Sequence, residues 1–165
     1  MLKLSVRLDV NESSRARLLA LQGRFSQACV ATYQIARAQN CFGRVALHHI
    51  AYKIIRDTFS ELGAQLVSNA IYVVSAASRA RGDALNEGAF SDAMPVVLDR
   101  RTLNLTNNQL SIFTLEGRLR INILVPNKLE SALRQMPLKE ALLERRGEDF
   151  SLTFFFKYAD EQVAA

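Results

Sequence analysis

A chain of 165 residues, 49% of them hydrophobic, carries enough apolar surface for one packed domain and is not expected to be disordered. Lysine and arginine exceed aspartate and glutamate by 21 to 16, a net charge of +5 with a pI near 9.6, which favours polyanionic partners over acidic substrates. No apolar run reaches the about 18 residues that a spanning helix needs. Met1 leads into an alternating pattern rather than a signal-like segment, so a cytoplasmic chain with no membrane partner is expected.

Residues Leu2 to Leu8 alternate strictly, with Leu2, Leu4, Val6 and Leu8 on one side and Lys3, Ser5 and Arg7 on the other, the pattern of a half-buried strand with a basic outer face. Asn11 then suits a helix cap, and Leu18, Leu21, Phe25, Ala28, Cys29, Thr32 and Ala36 form a helical stripe that ends near Asn40. Arg44 to Arg81 reads as two helices meeting at Gly63. Their stripes are Leu47, Ala51, Ile54, Ile55, Thr58, Phe59 and Leu62, then Leu66, Ala70, Ile71, Val74 and Ala77. The other faces carry His48, Tyr52, Lys53, Arg56, Gln65, Asn69, Arg79 and Arg81, where a partner is expected.

Gly82 to Pro95 has no sustained period and reads as a connection. Strands follow at Val96 to Asp99 and Leu103 to Leu105, then a hairpin of Gln109 to Leu115 and Arg118 to Leu124 around Glu116 and Gly117. Pro126 to Arg134 suits a short helix with Asn127 as its cap. Met136 to Arg146 has helical propensity, but the turn at Gly147 to Asp149 and the run Phe150 to Tyr158 favour strand, turn, strand; the tail DEQVAA adds nothing further. The first strand must pair with strands beyond Val96 to bury its apolar side. The expected fold is α+β: a small antiparallel β-barrel carrying an inserted α-helical bundle.

Two cysteines, Cys29 and Cys41, are too few for an all-cysteine metal site, and the adjacent His48 and His49 point about 100° apart on a helix. Asp57 and Glu61, four apart, read as solvated charge. No phosphate-cradling glycine loop, nucleophile elbow or H-E-x-x-H pattern occurs, so no enzymatic activity, metal or cofactor is expected. The positive signal is arginine: Arg7, Arg100, Arg101, Arg118 and Arg120 lie on or beside strands, and guanidinium pairs bidentately with phosphate. Gln65 and Asn69 project side by side, where amides either read adenine edges or bond between helices.

These segments resemble the N-terminal part of TnpB-type transposon-encoded RNA-guided nucleases, relatives of the type V CRISPR effectors. The likeness rests on MLKLSVRLDVNESSRARLLALQGRFSQAC, VALHHIAYKIIRDTFSELGAQLVSNAIYVVSAASRAR, VVLDRRTLNLTNNQLSIFTLEGRLRINI and EALLERRGEDFSLTFFFKY, nearly the whole chain. The resemblance implies a wedge barrel, OB-like, at residues 1–10 and 95–165, and a helical recognition lobe at 11–94. It implies that Lys3, Arg7, Arg100, Arg101, Arg118 and Arg120 hold guide or scaffold RNA, and that Tyr52, Lys53, Arg56, Gln65, Asn69 and Arg79 face a target-adjacent DNA motif or duplex. In the family a RuvC-like nuclease domain with an acidic triad follows; Ala165 comes before such a triad. The expectation is therefore an RNA-guided effector subunit that binds without cleaving and works with a separate nuclease or effector protein. The alternatives are a self-associating scaffold or inhibitor, and a DNA-binding repressor.

Overall fold

The N-terminal alternation folds as a strand. In the computed structural model, which describes residues 1–159, β1 (Leu2–Leu8) is followed by three helices: α1 (Glu12–Ala38), α2 (Arg44–Thr58) and α3 (Gly63–Arg81). Short strands come next, β2 (Val96–Leu98), β3 (Leu103–Thr106), β4 (Gln109–Thr114) and β5 (Gly117–Asn122), then α4 (Asn127–Gln135), β6 (Leu138–Arg146) and β7 (Asp149–Phe156). The fold is mixed α+β with antiparallel sheets. The expectation that DEQVAA adds no element falls at residues 160–165, outside the described residues.

β1 pairs along its whole length with β7, from Leu2 opposite Phe156 to Leu8 opposite Phe150, so the strand before the helices is joined to one far beyond Val96. The strands make two sheets, one ordered β1-β7-β6-β2 and the other β3-β4-β5. No backbone ladder joins them into a closed barrel among the described residues. The segment Met136 to Arg146 is strand despite its helical propensity. Every second residue meets an apolar partner on β7, Ala141 against Phe154 and Leu143 against Leu152, and that burial outweighs a few tenths of a kcal/mol of propensity per residue. Buried residues of helices and sheets form one contiguous core.

Phe154, Phe155 and Phe156 divide between the two faces, as alternation requires. Phe154 and Phe156 are fully buried, their rings 6.3 Å apart, while Phe155 is half-buried on the outer face with the Lys3 ammonium 5.7 Å from its ring centre.

The Asn11 side chain caps α1 by accepting from Ser14 N–H at 2.8 Å, and every residue of the α1 stripe is buried. Burial pushes the Cys29 thiol well above its ordinary range, which keeps it neutral; Cys41 is half-buried. Three polar residues of α1 are buried too. Gln22 donates to Met94 O at 2.8 Å, Ser26 to Phe90 O at 2.6 Å and Tyr33 to Leu85 O at 3.0 Å. These bonds hold the aperiodic connection, whose buried carbonyls have no ladder to join.

On α2, Leu47, Ala51 and Ile55 are buried, but Ile54 is 53% exposed and Thr58 lies on the surface. The residues spaced by four fix the buried line, and Ile54 falls at its edge. A 3-10 turn at Ser60–Leu62 separates α2 from α3, so Asp57 and Glu61 do not share a helix. Arg24 from α1 clasps this turn: it pairs with Glu61, donates to Thr58 O at 3.2 Å and lies 4.3 Å over the Phe59 ring. Glu61's own backbone N–H, and then Arg24, hold its carboxyl below the usual carboxylate range. Two turns differ slightly from expectation. The β4–β5 turn comes one residue earlier, at Leu115 and Glu116, because Gly117 takes the positive φ of 87°. At α4, Pro126 occupies the cap position and Asn127 begins the helix.

Alternation across β7 sets a stability contrast. Phe154→Ala should cost about 3–5 kcal/mol and Phe155→Ala roughly 1–2 kcal/mol, read from urea unfolding midpoints; equal losses would contradict the assigned faces.

Candidate nucleic-acid interface

The β3-β4-β5 sheet offers the clearest polar surface. Register places Arg118 opposite Phe113, Arg120 opposite Ser111 and Asn122 opposite Gln109, with Asn104 beyond Ser111 on β3. Leu119 and Ile121 face the core instead. That outward face has guanidinium, amide and hydroxyl groups and no carboxylate.

The way these arginines are held matters more than their number. Arg118 donates to Arg101 O at 2.7 Å and to Ser111 Oγ at 3.4 Å; Arg101 donates to Gln65 Oε1 at 2.9 Å. Arg120 has no side-chain hydrogen bond or ion pair among the described residues, and Arg100 makes one long bond to Met136 O at 3.5 Å. Every acceptor is neutral. A guanidinium has five N–H donors, so these side chains keep both their charge and most of their donors for an anion.

Lys3 and Arg7 sit elsewhere, on the outer face of the four-stranded sheet. There the charge is mixed: Arg7 pairs with Asp149 at 3.0 Å, both exposed, and Glu144 accepts from Thr153 at 2.8 Å. An exposed pair of this kind contributes little stability, and it lowers the pull of Arg7 on a phosphate.

Between the helices and the edge of the larger sheet lies a cleft of about 570 Å³. Arg44, His48 and His49 of α2 line it on one side, with Gln65, Asn69 and Tyr72 of α3. Asp99, Lys139, Glu140 and Lys157 line the other. Arg44 lies 4.9 Å over the Tyr72 ring, and His48 stacks on Tyr52 at 4.8 Å.

The six helical candidates therefore separate. Gln65 and Asn69 reach the cleft but are tied down: Asn69 is 8% exposed and donates to Val97 O at 2.9 Å, while Gln65 donates to Asn69 Oδ1 at 3.1 Å and to Asp99 Oδ2 at 2.6 Å. Their amides bond within the fold, to a strand and a turn rather than between helices. Tyr52, Lys53, Arg56 and Arg79 do not line the cleft. Arg56 donates to Ser60 O at 2.9 Å and so closes its own turn, whereas Lys53 and Arg79 are exposed. Sequence reasoning missed Arg44, Lys139 and Lys157, which converge from segments far apart in the chain. Only a basic residue just ahead of an apolar stripe hinted at the first.

Among the described residues, no three His, Cys, Asp or Glu side chains gather where they could hold a metal ion, and no helix is long and apolar enough to cross a membrane. No protein-family model matches the chain, and no curated protein matches it in sequence.

Asn69→Ala would remove the side-chain donor to the half-buried Val97 O, a loss of about 1 kcal/mol. Arg79→Ala, at an exposed position, should stay within about 0.5 kcal/mol. Chemical denaturation separates the two, and a neutral Asn69→Ala would make that amide a base-reading candidate again.

Proposed function

We propose that this chain is the nucleic-acid-binding lobe of an RNA-guided effector of the TnpB and type V kind, gripping a structured guide or scaffold RNA without cutting it. The observation that carries the reading is the group Arg101, Arg118 and Arg120, whose guanidiniums meet only neutral acceptors or none. Like charges held this way favour a polyanion, because each phosphate bound releases counterions and relieves their mutual repulsion. In this reading the two sheets serve as an opened version of the OB-like wedge. The cleft lined by Arg44, Lys139 and Lys157 is where target-adjacent DNA would lie.

A protein-contact reading draws on a different surface. Val45 is 80% exposed and Ile54 53%, both on α2, and apolar residues so exposed on a helix suit a partner subunit or a second copy. The half-buried Phe155 gives self-association less support, since Lys3 lies over its ring. A repressor that reads bases through Asn69 gains nothing from an amide already bonded to Val97 O.

Salt-titrated affinity for a structured RNA tests the main reading. Replacing Arg118 and Arg120 with Ala together should lower the slope of log K against log salt by about 0.7–0.9 for each phosphate that is no longer neutralised, with the fold intact. An unchanged slope would remove this surface from the interface.

A further inference from the structure

One turn carries more bonds than a turn of its length requires. Asp99 Oδ1 accepts from Arg101 N–H at 2.9 Å and from the N–H and Oγ1 of Thr102, each at 3.2 Å. Asp99 N–H donates to Thr102 Oγ1 at 2.9 Å, and Thr102 is buried. These bonds close the link between β2 and β3, the passage from the larger sheet to the smaller. Thr102 O then accepts from Phe113 N–H at 2.8 Å, which fastens the turn to β4.

The second carboxylate oxygen does a different job. Asp99 Oδ2 takes the Gln65 amide of α3, and Gln65 Oε1 takes Arg101. Nearby, the Phe113 ring packs against Gly63, where an added Cβ would lie 3.3 Å from it and where φ is 74°. The first turns of α3 are thus pinned to both sheets. The polarity of the relay is fixed: a carboxylate only accepts, a guanidinium only donates, and the Gln65 amide sits between them with one orientation that satisfies both.

We infer that Asp99 is a positioning residue that locks the helical lobe against the β3-β4-β5 sheet, so that the cleft and the arginine face are presented to one nucleic acid as a single, aligned surface. The functional half of this inference rests on the nucleic-acid reading above; the lock itself does not. Aligned sites gain affinity because the second engagement is intramolecular, and two parts of a surface that shift against each other lose some of that gain.

The relay's polarity supplies the test. Asp99→Asn alone places an amide donor against either Gln65 or the turn's N–H groups, and flipping the Gln65 amide to cure the first clash turns a donor toward Arg101. Gln65→Glu alone sets two carboxylates together. Combined, D99N and Q65E restore both links, since the asparagine amide donates to a glutamate that still accepts from Arg101, at the cost of the Asn69 contact.

The readout is the spread of distances between spin labels on Lys53→Cys and Asn122→Cys, in a Cys41→Ser background without RNA. One narrow distribution is expected for the parent, broad ones for each single variant, and a narrow one again for the double. Single variants as narrow as the parent would overturn the lock, as would a double that stays broad. Amide exchange decides the matter if the labels disturb folding: loss of the lock should speed exchange at Thr102 and Phe113 but not at Phe154, and uniform change would count against it.

RNA affinity then tests the consequence. Asp99→Asn removes a negative charge, so charge alone would tighten binding, whereas the lock predicts weakening on the order of tenfold and partial recovery in the double variant, where Q65E sets a carboxylate against Arg101. Broad distances with unchanged RNA affinity would keep the lock and refute its role in binding. No RNA binding by the parent would defeat the nucleic-acid reading and leave the distance result standing.

Discussion

The pairing of β1 with β7 is the constraint on which the rest depends. Seven residues at the start of the chain find their partners in Phe150 to Phe156, and α1, α2 and α3 lie between in sequence. Those helices are therefore held at both ends by one sheet. Their stripes pack mainly on one another, α2 on α3 and α1 on both, and share one core with the sheets from Val6 to Phe156. The same pairing sends Lys3, Ser5 and Arg7 outward and Leu2, Leu4, Val6 and Leu8 toward the apolar side, because a slip of one residue would exchange the two faces.

Polar groups then decide how the layers are set relative to each other. Gln22, Ser26 and Tyr33 direct their donors to the carbonyls of a connection that has no ladder of its own, and Arg24 clasps the turn between α2 and α3. Asp99 performs the matching task between α3 and the smaller sheet. Arg101 and Arg118 are held by neutral oxygens in the same region, so their orientation is fixed and their charge is left uncompensated. That combination, rather than the modest overall charge of +5, distinguishes this surface from ordinary solvated arginines.

Local periodicity makes much of the fold legible. The α1 stripe, the β1 alternation, the Phe150 to Phe156 strand and the pairing of the first strand with a late one all follow from apolar spacing. Partition of the strands into two sheets is not legible, since it depends on contacts between distant segments that no window contains. Ile54 departs from its expected burial because a period of three and four tolerates both edges of a stripe, and only packing selects one. Gln65 and Asn69 stand out as a pair, but their partners Val97, Asp99 and Arg101 lie about thirty residues on, in strands and a turn. Arg44, Lys139 and Lys157 share a cleft for the same nonlocal reason.

The proposed RNA-binding function rests on the arginine-bearing face of the β3-β4-β5 sheet. Crosslinking of the chain to RNA in its own cells, followed by mapping of the linked peptides, tests this most directly. The account predicts recovered RNA with crosslinks concentrated in residues 100–122, at β3, β4, β5 and the turn before them. A chain recovered free of RNA, or linked only through the Lys3 and Arg7 face, would contradict it.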